Sequence, residues 1–294
     1  MGQKFSTVRQ RNRGIYVGLE NTLIVDFHMH SHCSDGHLTP QQLVELAVAR
    51  GCEQIAITDH DSIAAYAQLG ELSLPVKVVP GCEFSANWRG REIHIVGLNL
   101  DLHNPSLLDG IEHQQQARCS RAERIGELLA RQGFPEALAG AKALAVGGSL
   151  GRPHFARYLV ELGAVTNTQQ AFKRYLAIGK PAYVRTQWAE IEQVCHWIRA
   201  AGGVAVLAHP LKYKITLTKL RELLVAFKEA GGQGLEVISG AQTPDQTRRL
   251  AALAGQFQLH ASVGSDFHQP GQPWAALGKV ATLPESCSPV WSHW

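Results

Sequence analysis

Four short clusters of histidine and acid punctuate this chain, and each stands just past an apolar, strand-like run. Asp26-Phe27-His28-Met29-His30 follows Leu23-Ile24-Val25, and Thr58-Asp59-His60-Asp61 follows Ile55-Ala56-Ile57. Ala208-His209-Pro210 follows the run from Val204 to Leu207, and Gly264-Ser265-Asp266-Phe267-His268 follows Ala261-Ser262-Val263. Reactive groups collected from the ends of several strands mark an α/β barrel, whose active face is built by the strand-to-helix loops. Histidine and aspartate are also ligands that divalent metals take. The pattern therefore predicts an α/β fold and a metal-dependent hydrolase.

At 294 residues, with 45% hydrophobic and 18% charged residues, the chain can bury the core of one such barrel. Its six cysteines form no C-x-x-C pair, and no export signal is visible. Reduced thiols and a cytoplasmic location are expected. No apolar stretch approaches the roughly 20 residues needed to span a bilayer, and nothing points to an obligate protein partner. Residues 1–21 read as a flexible leader. Met1-Gly2 with Ser6 fits the loose myristoylation pattern, but so short a match is common by chance.

Strands and helices alternate at both ends of the chain. The first part reads as strand 22–26, helix 39–50, strand 54–58, a short helix near 62–69, strand 76–79 and strand 92–99. From 204 the order is strand 204–208, helix 216–230, strand 234–238, helix 244–257 and strand 260–264. Alternation of this kind predicts a parallel sheet. The middle is different: a long helix over 106–132, shorter ones near 153–162 and 168–177, and no strand. The chain thus divides into a leader, a barrel from 22–101 plus 188–284, and a helical insertion at 102–187 placed beside the active face. Residues 103–187 carry 11 Lys+Arg against 6 Asp+Glu, which suits a polyanionic substrate but equally a solvated helical surface.

His28 and His30 stand two apart at a strand end, so both project from one face. Asp266 and His268 repeat that spacing. Asp35 lies in Ser34-Asp35-Gly36, where glycine lets the loop turn back. His60 and His209 end buried-looking strands, where a polar group is costly unless paired or ligated. Glu83 follows Val78-Val79-Pro80-Gly81, and His94 alternates with apolar residues in 92–96. Alone, Glu83 would pass for a helix N-terminal acid and His94 for a core histidine. Together, nine such groups exceed the needs of one ion, and two or three ions sharing Glu83 would use them all.

These motifs resemble those of the PHP (polymerase and histidinol phosphatase) superfamily over residues 22 to about 282. The resemblance implies a distorted (β/α)7 PHP barrel with a trinuclear site, usually manganese and sometimes iron or zinc. It implies one ion on His28, His30, Glu83 and Asp266, a second on Glu83, His94 and His209, and a third on Asp35, His60 and His268. Within the superfamily, Glu92 to Asn99, Gly151-Arg152-Pro153-His154-Phe155-Ala156-Arg157 and Tyr175-Leu176-Ala177 with Gly179-Lys180 resemble the TrpH/YciV branch. Members of that branch hydrolyse 3′,5′-bisphosphonucleotides such as pAp (3′,5′-bisphosphoadenosine). Some act as 5′→3′ exoribonucleases on short RNA and on the 5′ ends of ribosomal RNA precursors. One departure is Leu211-Lys212-Tyr213, where the branch suggests Gly-Arg-Tyr; lysine loses bidentate phosphate binding.

The expected reaction is metal-assisted phosphoester hydrolysis, with Glu83 and His209 at its centre. Asp59, next to His60, is a candidate orienting group or equally a structural support behind the ligands. Arg118 and Arg121 share a helical face, and with Arg152 and His154 they are the expected clamp on a second phosphate. Two rival readings remain: a phosphomonoesterase of the histidinol-phosphatase type, or a non-catalytic nucleic-acid-binding module. The complete set of metal-binding side chains speaks against the second.

Overall fold

The computed structural model describes residues 23–70, 75–146 and 148–294. The leader and its Met1-Gly2…Ser6 pattern lie outside the described residues. Within them the barrel opens with β1 (Val25–Asp26), α1 (Pro40–Ala49), β2 (Gln54–Ile55), α2 (Ala64–Leu69) and β3 (Lys77–Val78). Helix α1 starts where the sequence demands. The Thr39 hydroxyl accepts from the Gln42 amide at 3.1 Å, the Gln42 side chain accepts from the Thr39 amide at 2.9 Å, and Pro40 takes the first helical position. Leu43, Val44 and Ala47 on one face of α1 then pack against Ile55 and Ile57 in a small core.

β4 (Gly81–Trp88) and β5 (Arg91–Leu98) follow, and here the structure corrects the all-parallel expectation. They form an antiparallel hairpin in register from Gly81 opposite Leu98 to Trp88 opposite Arg91. The two linking residues, Arg89 and Gly90, both have positive φ (49° and 78°), the backbone that matches a two-residue loop to the strand twist. Residues 81–88, which fall between the strands expected at 76–79 and 92–99, are thus a full strand.

The chain then leaves the sheet for α3 (Pro105–Ala130), α4 (Ala137–Ala145), α5 (Arg152–Glu161) and α6 (Thr168–Ala171), which runs on into a π-turn at Phe172–Leu176. Asn104 caps α3 by accepting from the Ser106 amide at 3.0 Å. The apolar residues at the two ends of α3 serve two cores. Leu107 and Ile111 pack toward the barrel, whereas Ile125 and Leu129 join Phe155, Leu159 and Leu176 in a core of the helical segment. Gly110 allows the barrel approach, because a Cβ there would lie 2.4 Å from the Trp197 ring.

The barrel resumes with α7 (Ile191–Ala200), β6 (Val204–Leu207), α8 (Leu217–Glu229), β7 (Gly234–Ser239), α9 (Pro244–Gln256) and β8 (His260–Gly264). β6 pairs antiparallel with β5, and β6, β7 and β8 run parallel. Two isolated pairings close the ring. Met29 bridges Phe267, joining the end of β1 to the end of β8, and His60 bridges Glu83, joining the end of β2 to β4. Because β3 and β4 are one strand interrupted at Val79-Pro80, the described residues form a distorted barrel of seven staves. Residues beyond 284 also cover it: Trp291 and Trp294 lie 5.4 and 5.7 Å from the Phe27 ring. No helix among the described residues is long and apolar enough to cross a membrane.

Candidate metal centre

The two closing bridges involve residues of the histidine clusters themselves or their neighbours, so the barrel closes where those side chains emerge. Glu83, fully buried on β4, stands at the centre. Its Oε1 lies 2.9 Å from His94 Nδ1 and 2.9 Å from His209 Nε2. Its Oε2 lies 3.3 Å from His28 Nε2, 3.2 Å from His30 Nε2 and 3.0 Å from His60 Nδ1. Asp266 Oδ1 approaches His28 and His30 at 3.5 and 3.3 Å. Asp35 approaches His268 Nε2 at 3.3 Å and His60 Nε2 at 3.8 Å. All nine residues anticipated as ligands thus come to one rim.

Proximity alone does not make a metal site; the missing hydrogen bonds do. His28 Nε2, both nitrogens of His30, His60 Nδ1, Glu83 Oε2 and Asp35 Oδ1 are buried, and no hydrogen bond reaches them. Leaving so many buried polar atoms unsatisfied would cost about 1–3 kcal/mol each. Ligand atoms of these residues fall into four overlapping groups within metal-binding reach: His30/Asp35/His60/His268, His28/His30/Asp266, His28/Glu83/His209 and His60/Glu83/His94. The donor set, imidazole with carboxylate, suits manganese, iron or zinc. A divalent cation fits these residues better than any internal pairing does.

Charge points the same way. Burial pushes the Glu83 carboxyl up, but His28, His94 and His60 outweigh it and hold the group well below the usual carboxylate range. Asp266 and Asp35 are likewise raised by burial and pulled well below by Lys212 and His28, and by His268 and His60, respectively. Three ionised carboxylates inside a protein call for cationic compensation. In their field His94 is pushed up to about 10 and His30 to about 9, against the opposing effect of burial.

The surroundings hold the cluster in shape. His209 (φ 27°) and Asp266 (φ 55°) adopt positive φ at the ends of β6 and β8, strained backbone that aims both side chains inward. Asp59, the candidate orienting group, is fully buried and hydrogen-bonded to the loop at 31–35. One oxygen accepts from the Ser31 amide at 2.7 Å and the Ser34 hydroxyl at 2.6 Å, and the other accepts from the Ser31 hydroxyl at 2.5 Å. It therefore fixes the loop that carries Asp35.

A cleft of about 850 Å³ opens over the cluster, between the β4–β5 turn, Tyr183, Arg185 and Lys212. Beside it a smaller cavity of about 100 Å³ lies among Asp35, His60, His94, Arg118, Arg121 and Arg152. The four residues anticipated as a phosphate clamp divide here. Arg152 and Arg121 reach the cavity, each with one eye on Glu92, at 3.4 and 3.3 Å. Arg118 is buried and committed: Nε donates to Asp61 at 2.7 Å and Nη2 to the Ser85 hydroxyl at 3.0 Å. His154 does not reach the cavity. It is fully buried, and its Nδ1 accepts from the Gly151 amide at 3.0 Å, closing the start of α5.

A PHP domain model matches residues 26–201. This chain belongs to the PHP family. It is 47% identical to a 5′-3′ exoribonuclease of Haemophilus influenzae, over 90% of this chain and 97% of that protein. It is 38% identical to the 3′,5′-nucleoside bisphosphate phosphatase of Chromobacterium violaceum, over 91% and 95%. Its fold is similar to that of a protein from Bifidobacterium adolescentis described as a candidate metal-dependent phosphoesterase, with TM-score 0.76, 30% identity, and coverage of 89% and 93%.

Several working residues of this PHP barrel went unnoticed in the sequence. Glu236 on β7 accepts from the His209 amide at 2.5 Å and sits 3.2 Å from His28 Nδ1, fixing the ring so that Nε2 faces the cluster. Its signal was an acid inside the apolar run Leu235-Glu236-Val237-Ile238. The Tyr213 hydroxyl, beside the departing Lys212, donates to the Ala208 carbonyl at 2.8 Å and accepts from the His94 amide at 3.0 Å. Lys212 itself pairs with Asp266, so its charge is already engaged with the cluster. Asp61 and Glu92, the partners of the arginines, stand in the motifs Thr58-Asp59-His60-Asp61 and Glu92 to Asn99, but nothing local marks them as arginine partners.

Proposed function

We propose that this chain is a metal-dependent phosphoesterase that removes the 3′-phosphate of 3′,5′-bisphosphonucleotides, converting pAp to AMP and phosphate. The same site acts as a 5′→3′ exoribonuclease on short, 5′-monophosphorylated RNA, ribosomal RNA precursors included. Its relatives' names support the substrate class. The observation that carries the reading is the buried, hydrogen-bond-deficient ring of His and carboxylate side by side with an arginine-lined cavity.

His28, His30, Glu83 and Asp266, then Glu83, His94 and His209, then Asp35, His60 and His268 would hold two or three manganese ions. Bound, such ions supply an ionised water at neutral pH and neutralise charge on the phosphoryl oxygens. The chain's own residues do the rest. Arg152 and Arg121 take a substrate phosphate through charge-assisted bonds, in competition with Glu92. Glu236, Tyr213 and Asp59 hold His28, His94 and the Asp35 loop in place, so that no reorganisation is needed when the substrate arrives. Lys212 adds positive charge where the cleft meets Asp266. The helical segment 102–187 is the substrate-selecting part and the barrel the metal-binding one. Six unpaired cysteines support a cytoplasmic location.

The test is turnover of pAp, of a 5′-phosphorylated tetraribonucleotide and of histidinol phosphate, each with manganese and with chelator. Hydrolysis of the first two, abolished by chelator, is the expected result. Preference for histidinol phosphate, or activity indifferent to chelator, overturns the reading.

A further inference from the structure

A second cavity, of about 380 Å³, lies outside the cleft, between α3 and the segment that returns from the helical part to the barrel. His113, Gln116, Ser120 and Arg121 line one wall, at the i, i+3, i+7 and i+8 positions of one helical face. Arg185 and Thr186 line the other. No carboxylate is among its lining residues. The cavity adjoins the site through shared walls: Arg185 also lines the main cleft, and Arg121 also lines the small cavity beside His60 and His94.

Two features mark this as a built site and not a surface dimple. Arg121 is only 7% exposed, yet its Nε donor is buried with no hydrogen-bond partner. The Thr186 hydroxyl is likewise buried and unpartnered. Both residues line the cavity, and each carries a buried polar atom with an unmade hydrogen bond. Arg185 at the rim lies directly on the β4–β5 turn, where a Cβ at Gly90 would meet its guanidinium at 2.2 Å. Among the described residues no carboxylate pairs with Arg185, in contrast to Arg118, Arg121 and Arg152.

We infer that this cavity is a subsite for the next nucleotide of an oligoribonucleotide whose end lies in the cleft. Arg185 holds the connecting phosphate at the junction, and Thr186 meets the groups beyond it. Arg121, on the wall shared with the small cavity, stays with the phosphate in the cleft. The volume is at the small end of ligand pockets and suits one nucleotide. A mononucleotide bisphosphate ends before the junction and does not need it. The inference rests on the RNA half of the proposed function, and it assigns to this wall of α3 the preference for RNA length.

Ser120 is exposed on the cavity face and tests the idea without touching the cleft. Ser120→Glu should raise KM for a 5′-phosphorylated tetraribonucleotide about tenfold, and Ser120→Lys should lower it, because like charges repel and opposite charges attract at this range. The salt dependence should steepen in Ser120→Lys by about 0.7 in log–log slope, as for one more phosphate contact on a single strand. KM for pAp should stay within twofold in both. Opposite shifts cannot come from misfolding. Equal effects on both substrates, or none on the tetranucleotide, overturn the subsite. Fluorescence anisotropy in chelator, with labelled tetranucleotide and with AMP, gives the binding arm. If AMP alone responds to Ser120, the cavity is a separate mononucleotide site and the chain-track reading is wrong. If the unsubstituted enzyme hydrolyses neither substrate, the functional reading fails, and the anisotropy still decides the subsite.

Discussion

Arg118→Ala separates a structural arginine from a substrate one. Arg118 is 6% exposed, and its guanidinium spans 57 residues of sequence to reach Asp61, which is fully buried. Its face also lies 5.2 Å from the Trp188 ring. Removing it strands the Asp61 carboxylate, which keeps the Ser85 amide at 2.8 Å, the Ser85 hydroxyl at 3.0 Å and Gln114 Nε2 at 3.0 Å. Breaking a buried ion pair by deleting one partner costs roughly 3–5 kcal/mol. The three remaining donors put the loss near the lower end, about 3 kcal/mol. At roughly 2–4 °C per kcal/mol for a chain of a few hundred residues, Tm should drop about 10 °C. Adding Asp61→Asn removes the stranded charge, so the double variant should recover about 1–2 kcal/mol relative to Arg118→Ala. Because Nε and Nη2 are committed to Asp61 and Ser85, KM for pAp should change by less than about threefold. Thermal melts of the three variants, with KM measured well below their Tm, decide the matter. An unchanged Tm together with a tenfold rise in KM would refute this assignment and return Arg118 to the substrate.

Arg152→Ala, by contrast, should raise KM for pAp about tenfold, the worth of one charge-assisted bond, while metal content holds; an unchanged KM removes the residue from the clamp. Gly36→Ala places a Cβ 2.1 Å from the His30 carbonyl oxygen and 2.9 Å from the Ser31 carbonyl carbon, all backbone. It should cost about 1–3 kcal/mol and at least one bound manganese, read by melting and elemental analysis; full metal retention contradicts the close packing. His154 is held neutral by burial, its pKa pushed down to about 4, so between pH 6.5 and 4 the unfolded chain binds a proton that the folded chain refuses. Stability should therefore fall on acidification by about 3 kcal/mol over that window from this group. Urea midpoints of His154→Gln should fall less steeply there, and identical slopes would show that His154 is not the cause.

What the sequence disclosed, and what it hid, follows from the range of each interaction. Most of the nine His and acid residues were legible because they break an apolar run at or near a strand end, a local pattern that burial makes expensive. Asp35 in its glycine loop, and Glu83 and His94 within β4 and β5, gained meaning only from the set. Helix α1 was legible from Thr39-Pro40 for the same local reason. β4 carries its own alternation, with Cys82, Phe84 and Ala86 opposite Glu83, Ser85 and Asn87, but Pro80-Gly81 before it and Arg89-Gly90 after it are the residues of turns, which mask the strand between them. α7 was overlooked although Ile191, Val194, Cys195 and Ile198 recur at helical spacing, and all four are buried. The fate of the clamp was beyond one sequence. Arg118 finds Asp61, and Arg121 and Arg152 find Glu92, across folds of chain whose approach only the three-dimensional structure reveals. His154 looked like a substrate ligand by its neighbours, yet its position at the start of α5 makes it a cap.

The number of divalent ions retained per chain, after manganese loading and gel filtration, tests the central claim most directly when the unsubstituted protein is set beside Glu83→Gln. Glu83 meets five imidazoles, and through it the separate ligand groups share one carboxylate. The account predicts two or three ions in the unsubstituted chain and a loss of at least one in the variant. No retained ion in the unsubstituted protein, or an equal number in both, would contradict it.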